Sequence, residues 1–172
     1  MKLAQISILI LVLMAIVCAK SEPQKPANFR LTLYWHSGTL PQPFNYPYTL
    51  QIGPGAGGDL TYRTGDNSRE WRTEFNLSEQ RLNQLYFLLI ECDALRSNWE
   101  TGDPIDGAAW TSIQVQAAGR ECHIPGLSEL SQSERELVEE IIREIYGSVP
   151  AEIWQRMVVR QSQAESGFFE GQ

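Results

Sequence analysis

Residues 29–36, FRLTLYWH, alternate strictly. Phe29, Leu31, Leu33 and Trp35 fall on one side, and Arg30, Thr32, Tyr34 and His36 on the other. A period of two predicts a strand with one buried face. YTLQI (48–52) and LTYR (60–63) repeat the pattern in shorter form, joined by GPGAGGD. The four glycines of that joint would suit a phosphate cradle only if a Lys and a helix followed. Neither does, and the stretch predicts a glycine-rich hairpin turn.

The period lengthens in EWRTEFNLSEQRLNQLYFLLIECDAL, which carries a helix. Ser78 suits its N-cap, Leu77 and Leu82 have the spacing of a hydrophobic staple, and Leu82, Leu85, Leu89 and Cys92 share one face. NWETGDPIDGAA reads as loop, and TSIQVQAA and ECHI as two strands turning at Gly119. A last long helix begins near Ser131, where Ser131 and Glu134 have the spacing of a capping box. Its buried stripe is Leu137, Val138, Ile141, Ile142 and Ile145, and Gly147 suits its end. Pro150 then opens a short helix, AEIWQRM.

Three strands, a helix, two strands and two helices predict an α+β fold: a mostly antiparallel five-stranded sheet with two long helices and one short helix packed on one face. Such a sheet leaves its other face open. Alternation sends Leu50, Ile52, Leu60, Tyr62, Ile113, Val115, Cys122 and Ile124 inward with the apolar residues of the first strand. Thr49, Gln51, Thr61, Ser112, Gln114, Gln116, Glu121 and His123 go outward with Tyr34 and His36. Both histidines of the chain lie in the outward set.

Around this domain, assigned to residues 29–160, the flanks read differently. Residues 1–19 combine Lys2, an apolar run from Ile6 to Val17 and a Val-Cys-Ala cleavage site, the pattern of a secretory signal. The run is shorter than the ~20 residues a membrane-spanning helix needs. Residues 20–28 form a polar linker, and residues 161–172 read as a loose tail. The expected location is therefore secreted or periplasmic. Membrane attachment would follow only from lipidation at Cys18 or from an uncleaved signal acting as an anchor.

The chain carries a net charge of −7, and removal of residues 1–19 takes away one Lys and no acid. So acidic a domain repels nucleic acid and anionic lipid, and no nucleic-acid partner is expected. All three lysines (Lys2, Lys20, Lys25) precede Phe29. This excludes a Schiff-base Lys, a Ser-Lys dyad and a P-loop Lys from the domain, since Arg stays protonated and cannot replace them as a base.

Chemistry has few candidates. His36 or His123 could act as a general base, with Glu121 placed to orient His123, but no nucleophile signature accompanies either. Cys122 and His123 are adjacent on a strand and point to opposite faces, against a dyad. No Cys/His spacing matches a zinc site, and Asp103–Asp106 lacks the repeat of a calcium loop, so no metal and no cofactor is expected. Arg63, Arg69 and Arg72 are interleaved with acids and read as surface ion pairs.

YWHSGTLPQPFNYPY (34–48) holds five of the seventeen aromatic residues and three of the nine prolines. Its loop part, 37–47, either folds Phe44 and Tyr46 back over the edge of the core or presents them as a binding lip. The candidate binding residues are thus Tyr34, His36, Phe44, Tyr46 and His123. Cys92 and Cys122 both face the layer between helix and sheet, and in an oxidising compartment they are candidates for a disulfide.

These features point to a non-catalytic binding or interaction module of the cell envelope, its partner a protein or small-molecule ligand. Two alternatives stand beside it: a small envelope hydrolase using His36 or His123, and an inhibitor of a secreted enzyme that inserts the proline-rich loop.

Overall fold

In the computed structural model, which describes residues 24–63, 69–103, 107 and 109–170, six strands form one antiparallel sheet. They are β1 (Arg30–His36), β2 (Pro47–Ile52), β3 (Gly57–Arg63), β4 (Glu70–Asn76), β5 (Trp110–Ala117) and β6 (Arg120–Ile124). Their order across the sheet is β4-β3-β2-β1-β5-β6. The first four strands form a meander. Helix α1 (Glu79–Glu91) then carries the chain to the free side of β1, where the β5–β6 hairpin completes the sheet. Helices α2 (Gln132–Ser148) and α3 (Ala151–Glu170) follow. The signal-like segment with Cys18 lies outside the described residues, as does Asp106. Among the described residues, no helix is long and apolar enough to cross a membrane.

The α+β class and the antiparallel sheet agree with the sequence pattern, but the sheet has six strands where five were expected. The additional strand is β4. Trp71 and Phe75 alternate there with Glu70, Arg72 and Glu74, and the strand pairs with β3 along its whole length. Its pattern runs directly into the N-cap of α1, so a helix window swallows it. Phe75 lies across Gly58 of β3, where a Cβ would come within 2.5 Å of the ring. Only glycine leaves that space.

The helices differ in length as well. The segment expected to be short is the longest, twenty residues, and the supposed loose tail is helical to Glu170. Tertiary contacts hold that extension. Glu165 accepts hydrogen bonds from Tyr46 Oη at 3.2 Å and Gln161 Nε2 at 3.1 Å, and the rings of Phe169 and Phe44 lie 6.3 Å apart.

One face of the sheet carries the core. Leu31, Leu33, Leu50, Ile113 and Val115 are fully buried, and Leu82, Leu89, Ile141 and Ile145 meet them from α1 and α2. Each such side chain contributes about 1.5–3 kcal/mol. Ser78 caps α1 as its sequence implied, accepting from Arg81 N at 3.1 Å. The capping box of α2 does not form. Glu134 is instead paired with Arg96, and Ser131 Oγ turns toward Glu100 and Ser133. Arg96 also lies 4.3 Å over the Trp99 ring, so the 92–103 segment is fastened to the start of α2.

Candidate functional site

The pairing of the strands fixes what lies side by side on the other face. One row runs Arg72, Thr61, Thr49, Tyr34, Ser112 from β4 to β5. The next runs Glu74, Asp59, Gln51, Thr32, Gln114, His123 across all six strands. At the upper end, His36 is flanked by Pro47 and Trp110. The middle of this face is uncharged hydroxyl and amide, and the charges stand around it.

Several of those charges are already engaged. Arg72 pairs with Asp59 at 3.2 Å, and Arg63 with Glu70. Glu121 accepts from the side-chain amides of Gln114 and Gln116, and Gln114 in turn accepts from Tyr34 Oη at 3.4 Å. This chain of bonds fixes the direction of the Gln114 amide and the azimuth of the Tyr34 ring. Thr49 and Gln51 make no side-chain hydrogen bond among the described residues, and both point to the open side.

Tyr34, His36, Pro47, Thr49 and Trp110, with Trp35 and Tyr48 between them, line a shallow hollow of about 390 Å³ at the upper end of the face. Trp110 is 38 % exposed, high for an indole in a strand. It rests on Gly126, where a Cβ would stand 2.7 Å from Trp110 Nε1. The absence of a Cβ at Gly126 thereby leaves room for the pyrrole edge of the ring. Beside it, Ser112 is 2 % exposed, and its hydroxyl finds no partner among the described residues. A second hollow, about 450 Å³, opens lower down among Arg30, Gln51, Gly57, Asp59, Arg72 and Asn76.

Of the five candidate binding residues, Tyr34 and His36 come together in the upper hollow. His123 stands apart. It lies two strands over and four residues along, roughly 10 Å across and 13 Å down the sheet. His36 Nδ1 accepts from Gly38 N at 3.0 Å, which places the imidazole proton on Nε2 in the neutral ring and anchors the start of the loop.

Phe44 and Tyr46 do not line the hollow. The loop is closed by Ser37, whose N–H donates to Tyr46 O at 3.2 Å and whose Oγ accepts from Tyr46 N at 3.0 Å. Tyr46 stacks on Trp35 and packs beside Tyr62, under α3. Burial, and then the nearby Glu165 carboxylate, hold its hydroxyl above the usual tyrosine range. Trp35 stacks on Tyr48, which meets Trp154 and shares a 2.6 Å hydrogen bond with Tyr146. The aromatic residues of the 34–48 stretch therefore divide. Tyr34 goes to the open face, and Trp35, Tyr46 and Tyr48 build a wall that closes the upper end of the core.

The Cys92–Cys122 bridge expected from the sequence is not formed here, and both residues are half-buried free thiols. Cys92 is the C-cap of α1, with Glu140 of α2 near it. Burial, followed by that carboxylate and Glu91, pushes its thiol pKa up. Cys122 turns to Leu95 and donates to its carbonyl at 3.0 Å. The sulfurs serve the same helix–sheet junction from different sides.

Trp110 escaped the sequence reading. The alternation Trp110, Ser112, Gln114, Gln116 carries its signal, one residue ahead of TSIQVQAA. Among the described residues, no three His, Cys, Asp or Glu side chains gather as a metal site would need. The chain matches no known family model, and no curated protein is significantly similar to it.

Proposed function

We propose that the protein is an exported, non-catalytic binding module of the cell envelope whose ligand rests on the open face of the sheet. The observation that carries this reading is the composition of that face. Its middle is uncharged and polar, its outer charges are partly paired, and an exposed indole and a tyrosine border a preformed hollow at one end. Surfaces of this kind, concave with a few oriented polar groups and aromatic rings, are suited to holding a ligand.

The hydrolase alternative gains nothing from the geometry. His36 and His123 belong to different parts of the sheet, and the Nδ1 lone pair of His36 already serves Gly38. The inhibitor alternative needs a projecting loop, and the ends of this one are pinned at Ser37 and Tyr46 beneath α3.

Co-sedimentation of the purified protein with isolated envelope material tests the reading. Retention is expected, and it should be lost in Trp110→Ala and in Gln114→Ala variants that melt like the parent. Retention unaffected by both changes would contradict it. Export is tested separately by N-terminal sequencing. A mature chain starting at Lys20 is expected, whereas a lipid-modified Cys18 would make the protein a lipoprotein.

A further inference from the structure

We infer that the ligand of the open face is a neutral oligosaccharide, one sugar ring stacked at Trp110 and Tyr34 and the chain continuing along β2 toward Gln51. This rests on the binding-module reading and names its ligand class.

A charged ligand would find no charged group at the centre of the face, where Thr49, Gln51, Thr61 and Gln114 are accessible and Thr32 and Ser112 are buried between them. A wholly apolar ligand would find its rings at the two ends, Trp110, Tyr34, Trp35 and Tyr48 at the upper hollow and Phe75 at the lower, with a polar stretch between them. Hydroxyls and side-chain amides both donate and accept, as do the hydroxyls of a sugar, so either direction of each bond can be met. The aromatic pair supplies the remaining feature. A pyranose ring presents a face of polarised C–H groups, and the negative π-face of an indole or phenol attracts them.

The layout suits a chain better than a single ring. Pro47 at the upper hollow and Gln51 at the lower one are four residues apart on β2, roughly 13 Å, with the outward Thr49 side chain between them. The two hollows thus lie at the ends of one polar track. Tyr34 is hydrogen-bonded to Gln114, and the pyrrole edge of Trp110 is seated against Gly126, which limits the motion of both rings before any ligand arrives. Preorganisation of this kind reduces the cost of ordering side chains on binding.

Isothermal titration of the full chain with cellohexaose and with chitohexaose, beside a neutral Ser/Thr/Gln peptide of similar length, tests the inference. At least one sugar is expected to bind and the peptide not to. Trp110→Ala should weaken the sugar by about tenfold or more, and Gln114→Ala should weaken it as well, with thermal melts confirming that both variants fold. No heat from either sugar, or sugar binding that neither variant weakens, would overturn it. If envelope retention depends on Trp110 while neither sugar binds, the ligand class is wrong and the binding face remains. If retention is indifferent to Trp110 and Gln114, the binding-module reading itself falls.

Discussion

Leu50 and Gln51 are neighbours in β2, and they belong to different molecules in all but the covalent sense. Leu50 is fully buried against the helices, while Gln51 is exposed on the other face. The same division runs through each central strand. The covered face is close-packed and apolar, so its residues are set by volume and transfer free energy. The open face has hydroxyls and amides where a merely soluble surface would carry scattered charges. It also has a buried serine hydroxyl without a partner among the described residues and an indole edge seated against a glycine. The first face accounts for the fold. The second is more specialised than solubility requires.

The largest test of this contrast compares those two neighbours. Leu50→Ala should cost about 3–4 kcal/mol, the transfer term plus a cavity, and Gln51→Ala less than about 0.5 kcal/mol. Urea unfolding of both variants measures the difference. Similar losses for the two would erase the distinction between the faces.

Next in size is the aromatic wall at the upper end of the core. Burial first, and then the hydroxyl contact between them, hold Tyr48 far above the ordinary tyrosine range. Burial holds Tyr146 up as well. In the unfolded chain a tyrosine ionises near pH ~10. Their contribution is therefore complete below that pH. Above it, the unfolded state sheds protons that the folded state keeps, and stability falls. Tyr48→Phe should cost about 1–2 kcal/mol at neutral pH by leaving the Tyr146 hydroxyl unpaired, and it should flatten the alkaline decline. Melting curves from pH 7 to pH 11 would show both effects. An unchanged alkaline slope in the variant would mean that Tyr48 is not the group responsible.

The two histidines offer a smaller comparison within the open face. His36→Ala removes the acceptor of Gly38 N and should cost about 1 kcal/mol. His123 is exposed and makes no comparable bond among the described residues, so His123→Ala should stay within about 0.5 kcal/mol. Equal effects would place the loop anchor elsewhere.

How far the sequence carried depended on how local the cause was. Strict alternation gave the inward and outward sides of β1, β2, β3, β5 and β6, because side-chain direction in a strand is a property of the strand alone. It lost β4, whose charged residues sit beside a strong helix signal and whose assignment depends on pairing with β3. The second half of α3 is polar and glycine-containing, so it has little reason to be helical until Tyr46 and Phe44 arrive from the far end of the chain. The capping box at Ser131 failed for the same reason, a distant Arg96 taking Glu134. At the site, Tyr34 and His36 were legible from their strand. The fate of Phe44 and Tyr46 was not, because it depends on how a loop closes on a helix.

A slight effect of opposite sign is expected at Ser112. Its hydroxyl is buried and has no partner among the described residues, so Ser112→Ala should raise stability by up to about 1 kcal/mol. A clear loss would show that the hydroxyl is bonded in solution and is structural.

The five tryptophans allow the central claim to be tested in one spectrum. Trp35, Trp71 and Trp154 pack against the core, Trp99 lies under Arg96, and Trp110 stands on the open face. Five indole N–H signals should appear in a ¹H–¹⁵N spectrum. On addition of cellohexaose or chitohexaose, the Trp110 signal, assigned through its loss in Trp110→Ala, should move most, that of Trp35, which also borders the hollow, less, and those of Trp71, Trp99 and Trp154 should stay in place. Movement of a core indole with Trp110 unmoved, or no movement of any signal, would contradict it.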